Sequence, residues 1–83
     1  MAQAVQLKDT WWNKLRVEQN MPYKELASYM DCGISKVCEW FTGAKLPDRD
    51  VIYKLCDWFS VEYGDGEEHF IADHENYVAE ATG

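Results

Sequence analysis

Three residues, Asp31-Cys32-Gly33, separate two runs whose apolar residues fall at helical spacing. Leu26, Ala27 and Met30 precede the break, and Val37, Trp40 and Phe41 follow it. Leu26 to Met30 is one helical turn, and so is Val37 to Phe41. Asp and Gly are turn formers, and Gly43 and Pro47 close the second run. Two amphipathic helices joined this tightly must pack their apolar faces at a steep angle. That is the geometry of a helix-turn-helix unit, whose second helix is able to enter a DNA groove.

The flanking sequence extends the helical pattern. Asp9 or Thr10 is placed to cap a first helix running to about Gln19. Leu7, Trp11 and Leu15 lie four apart with Trp12 alongside, which gives this helix one apolar stripe. Asn20 suits its end, because asparagine tolerates a left-handed backbone. Pro22 suits the first turn of the second helix, where its missing N–H would have no partner. That helix runs to about Met30. The third is expected from about Ser35, or one or two residues earlier, to Phe41, with Gly43 as its stop. Leu46-Pro47 reads as extended, since a residue before proline disfavours helix. Asp48 then caps a fourth helix to about Phe59, with Val51, Ile52, Leu55 and Phe59 on one face and Asp50 near the positive end of its dipole.

Gly64, Asp65 and Gly66 make residues 60–68 read as a turn or loop. Beyond them, Phe70, Ile71, His74, Tyr77, Val78 and Ala81 fit a helix over 68–81, with a short strand through Phe70-Ile71 as the competitor. The expected fold class is all-α with four to five helices.

Eighty-three residues make one small domain with a modest core. The net charge of −7 is unevenly placed. Residues 1–61 hold eight basic and eight acidic side chains, whereas 62–83 hold seven acidic ones and no Lys or Arg. The chain reads as a neutral body, 1–61, followed by an acidic tail, 62–83. Three readings of the tail stay open. It is a solvated end; or an extra helix that docks on the body or builds a dimer through Phe70, Ile71, Tyr77 and Val78; or an acidic cover for the basic face or surface for another protein.

Twelve aromatics exceed what a core this size usually needs, so either some lie at the surface, where aromatics often mark partner contacts, or the core is bulky. Trp58 falls beside the core face, as a cover or an interface residue. No apolar run reaches membrane-spanning length and no signal pattern opens the chain, so a cytoplasmic protein is expected. Cys32, Cys38 and Cys56 are read as free thiols, with Cys56 in the core and Cys38 on the outward side of the third helix. Their spacing with His69 and His74 matches no zinc pattern, and both histidines read as surface groups. Neither a metal nor a cofactor is expected. No nucleophile–base set or phosphate-cradling glycine loop supports an enzyme.

Met21-Pro22-Tyr23-Lys24-Glu25-Leu26-Ala27, the Asp31-Cys32-Gly33 turn, Val37 to Trp40, Gly43, Pro47 and Leu55-Cys56-Asp57-Trp58-Phe59-Ser60-Val61 together resemble the phage Cro/repressor, or Xre-type, helix-turn-helix family. The resemblance runs without a gap over about residues 12–63. It implies a Cro/repressor-like domain whose third helix, about 34–41, reads DNA. The base-facing candidates are Ile34, Ser35, Lys36 and Glu39. Ile34 can pack on a thymine methyl, and Glu39 can accept from a cytosine amino group or else repel phosphate. The phosphate candidates are Tyr23, Lys24, Gly43, Lys45 and Arg49, with the Gly43 and Ala44 backbone N–H groups included.

The chain departs from the family in three places. Tyr23 stands where the family has a phosphate-binding Gln. Asp31 stands where it has a turn Gly. Phe41 stands where it has the Glu that pairs with Arg16, so Arg16 needs another partner or faces solvent.

The function these residues imply is sequence-specific DNA binding as a homodimer, in transcription regulation, for a phage or other mobile element. Two alternatives remain. One is an antirepressor-like protein-interaction module that keeps the fold without DNA readout. The other is an antitoxin-like regulator that also binds a protein partner through its acidic tail.

Overall fold

Thr10 opens the first helix. The computed structural model describes residues 10–82, so the expected roles of Leu7 and Asp9 fall outside it. Thr10 has extended backbone, and its hydroxyl oxygen accepts from the Asn13 N–H while its proton goes to the Phe41 carbonyl. One side chain thus caps α1 (Trp11–Glu18) and ties it to a later helix. Trp12, rather than Trp11 or Leu15, is the fully buried residue of α1; the other two pack half-buried at the edge of the core.

Asn20 takes the left-handed backbone its position predicts, with φ 54°. Pro22 lies one position earlier than the sequence reading put it. It is the N-cap of α2 (Tyr23–Met30), and its carbonyl accepts the N–H groups of Glu25 and Leu26. Asp31 ends α2 in the left-handed region at φ 54°, a cost of about 1 kcal/mol for a residue with a Cβ. The N–H groups of Asp31 and Cys32 return to the last turn of α2 and satisfy its carbonyls.

Gly33 then starts α3 (Ile34–Thr42), which runs one residue further at each end than Ser35 to Phe41. Gly43 stops it at φ 88°. A side chain there is doubly excluded, because a Cβ would sit 2.7 Å from the Asp73 carbonyl oxygen. Asp48 occupies the N-cap of α4 (Arg49–Phe59) but makes no side-chain cap hydrogen bond. Ile52, Leu55 and Phe59 are buried as their spacing predicts, together with Cys56; Val51 is only half-buried.

The expected loop over 60–68 shrinks to Ser60, Val61 and Glu62. Ser60 turns the chain at φ 59°, and α5 (Tyr63–Thr82) begins at once. Gly64 and Gly66 are helical. Gly66 serves close packing rather than a turn: a Cβ on it would lie 2.2 Å from Cys56 Sγ and 3.0 Å from the Trp12 ring. Its carbonyl accepts the Trp12 indole N–H at 3.0 Å. Asp65 in the first turn is favoured by the helix dipole. The helix expected over 68–81 is present, and Phe70 and Ile71, where a short strand was the competitor, are helical.

All five elements among the described residues are α-helices. α5 packs on α4, α1 and α3, while α2 packs chiefly on α3. The core joins them in one cluster: Trp12, Leu26, Val37, Phe41, Leu55, Phe59 and Phe70 are its bulk. Phe70 is 1% exposed and stacks on Trp12 with centroids 4.4 Å apart. Residues 63–82 therefore form a docked helix that shares the body's core. They meet it through Phe70 but leave Ile71 and Val78 exposed and Tyr77 half-buried. No helix of the described residues is long and apolar enough to cross a membrane.

Candidate nucleic-acid interface

α3 is held by one face and open on the other. Val37, Trp40 and Phe41 are buried beneath it. Ile34, Ser35 and Lys36, in its first turn, are exposed, with Ile34 at 50%. Ile34 is thus one of the exposed large apolar side chains rather than part of the core. Glu39 is half-buried one turn later, on the same outward side as Ser35. All four base-facing candidates thus lie on the solvent side of α3.

Lys36 and Lys45 line one groove of about 320 Å³, with Met30, Cys32, Trp40 and Val51 among its walls. Lys45 projects from the loop after α3, with Nζ 3.8 Å from a Glu39 carboxylate oxygen. Arg49 opens α4, and its Nε lies 3.2 Å from Glu67 Oε2 on α5. Both cations are mostly exposed, so these pairs hold them loosely; exposed ion pairs are worth about 0–1 kcal/mol. Lys24 is exposed at the start of α2.

Two members of the phosphate set are engaged elsewhere. Gly43 is buried, its N–H goes to the Trp40 carbonyl, and its own carbonyl accepts from His74 Nδ1 at 2.8 Å. Tyr23 is half-buried, and its hydroxyl donates to Asn13 Oδ1 at 3.2 Å. The Arg16 guanidinium lies 4.0 Å over its ring. Burial pushes the Tyr23 phenol up, against the pull of Arg16, and Cys38 nearby pushes it further. Cys38 itself is half-buried rather than fully outward.

Arg16 has found its other partners: Nε donates to Asn13 Oδ1 and Nη1 to the Met21 carbonyl, each at 2.9 Å. It locks the exit of α1 to the entry of α2 and so fixes where the helix pair sits. Tyr23 completes that lock.

The histidines are not plain surface groups. His69 stacks flat on Trp11 at 4.0 Å, and His74 reaches the α3 cap as above. Between them, Asp73 is buried, and its Oδ1 accepts the Trp11 N–H at 3.4 Å. Burial raises the Asp73 carboxyl, opposed by the Trp11 and Trp12 N–H groups and by His69 and Lys14. Sequence reasoning missed Glu67, Asp73 and His74 as partners of the basic face, α1 and α3. All three act across the chain, and no local pattern signals such contacts.

No protein-family model, curated protein or solved structure matches the chain. Its geometry therefore has to carry the functional reading. Among the described residues no three His, Cys, Asp or Glu side chains are gathered to hold a metal. What the arrangement offers is a helix seated on the core by one face, with an exposed first turn and with Lys36, Lys45 and Arg49 exposed on this part of the chain.

Proposed function

We propose that this chain is a sequence-specific DNA-binding regulator of the Cro/repressor type, for a phage or other mobile element. It inserts α3 into the major groove and binds as a dimer on two half-sites. The observation that carries this reading is the orientation of α3: its apolar side is sealed by Val37, Trp40 and Phe41, while Ile34, Ser35 and Lys36 stand free at its leading end. A recognition helix presents its N-terminal residues to base edges in that way. Ser35 and Glu39 supply polar contacts and Ile34 a thymine-methyl contact. Lys36, Lys45, Arg49 and Lys24 supply the phosphate contacts, and no catalysis is assigned.

The test is titration of the full chain into random duplex and into duplex from upstream of its own gene, at low and physiological salt. Three to four neutralised phosphates give a log–log salt slope of about −3 per monomer. Replacing Lys45 and Arg49 together by Ala weakens binding and flattens the slope by about 2, with helicity unchanged. Absence of any salt-sensitive binding to either duplex would sink the proposal.

One observation favours a second reading, an antirepressor-like module that binds protein. Lys45 and Arg49 both face carboxylates of the chain itself, Glu39 and Glu67. A face whose charges are already balanced suits a protein partner better than phosphate. Retained partner binding by the Lys45→Ala, Arg49→Ala variant, with no DNA binding by wild type, selects it.

A further inference from the structure

α5 has a second face that the core does not use. Glu68, Ile71, Ala72, Glu75, Val78 and Ala79 are all exposed. Their spacing, i, i+3, i+4, i+7, i+10 and i+11, places them in one straight stripe. Ile71 is 40% exposed and Val78 44%, although Phe70 beside Ile71 is sealed in the core. A shallow depression of about 400 Å³ lies along the first half of the stripe, lined by Glu68, Ile71, Ala72 and Glu75 with His69 at its edge. No described residue covers it.

We infer that this stripe is a docking site for a basic amphipathic helix of another protein. The spacing is that of a two-helix seam, with branched residues one heptad apart and alanines beside them that let a second backbone approach. The charge selects the occupant. Residues 62–83 carry seven carboxylates and no Lys or Arg, and Glu68 and Glu75 lie within the stripe itself. A second copy of α5 is disfavoured in either direction. In-register parallel pairing sets Glu68 against Glu68 and Glu75 against Glu75, and pairing in either direction brings together two helices that carry carboxylates and no Lys or Arg. A helix with Leu or Ile along its centre and Lys or Arg on its flanks meets no such repulsion. The site lies on α5's outward side, away from Phe70 and Asp73, and is independent of the DNA-binding proposal.

The probe is a 21-residue peptide of three heptads, with Leu at the two seam positions and Lys at the flanking ones. It is titrated into the full chain at about 0.1 M salt, where screening acts beyond about 10 Å. The control is a peptide of the same composition with scrambled order. Saturable binding at least ten-fold tighter than the control is expected, with a ten-fold or greater loss in the Ile71→Ser, Val78→Ser variant. Both sites are exposed, so that variant keeps its helicity and melting transition. Glu68→Gln with Glu75→Gln reduces the salt dependence. Equal binding of the scrambled peptide overturns the inference, and so does undiminished binding to the serine variant. It is also overturned if the chain alone self-associates and the serine variant dissociates it, since the stripe then belongs to a second copy.

Discussion

Asp73 reaches from α5 to the first N–H of α1, where a helix presents its positive end. The contact is a cap supplied from the far side of the sequence. Burial dominates its titration and raises it, so the charged form is less favourable in the folded chain than in the unfolded one. The stability tied to this group is therefore complete below its unfolded value and is lost as pH rises through the raised folded value. Asp73→Asn keeps an acceptor for Trp11 without the charge. It is expected to melt at least as high as wild type at pH 7, with the advantage disappearing at about pH 4 and below. Asp73→Ala loses the acceptor at every pH and costs about 1 kcal/mol. Thermal melts of the two variants across pH check both. A lower melting point for Asp73→Asn at pH 7 would mean that the ionised cap is net favourable.

The α2–turn–α3 unit was legible because its information is local. Leu26 to Met30 and Val37 to Phe41 are single turns, and Asp31 and Gly43 are caps whose backbone the sequence announces. The fourth helix was legible for the same reason. α5 was only half legible. Its period shows from Phe70 onward, but Gly64 and Gly66 look like a turn to any local rule. Gly66 is instead a glycine inside a helix, where Cys56 and Trp12, the latter 54 positions away, leave no room for a side chain. Separation in sequence also hid Glu67 from the reading of the basic face. Arg49 was recognisable as a phosphate candidate, whereas its partner 18 residues on depends on how α5 lands. The element scale therefore makes its own prediction. α5 holds a competitor against Arg49, and Glu67→Gln frees the guanidinium. DNA affinity is expected to rise by roughly two- to five-fold at low salt, the range of an exposed ion pair, and less at high salt. Anisotropy titrations read it, and unchanged affinity would show that the pair does not restrain Arg49.

Taken whole, the molecule places its charge unequally on a single core. The helices that present Ile34 to Lys36 belong to a neutral body, while the excess of carboxylates rides on α5. Yet α5 is not separable in packing terms, since Phe70 lies in the same cluster as Trp12, Phe41 and Phe59. Removing a buried Phe side chain costs about 3–5 kcal/mol, much of what a domain this size has to spare. The close seat of Gly66 on Cys56 has a kinetic consequence. Cys56 is fully buried, and burial, then Asp57 and Glu67, pushes its thiol up to about 11. Cys32 and Cys38 are half-buried and open to a thiol reagent. With one shared core, Cys56 is expected to react only through global opening, at a free energy equal to that of a urea melt. A smaller value would reveal that α5 lifts off alone. The slow thiol is thus expected to keep time for the whole fold: its labelling half-life counts how often the shared core, last helix included, comes open.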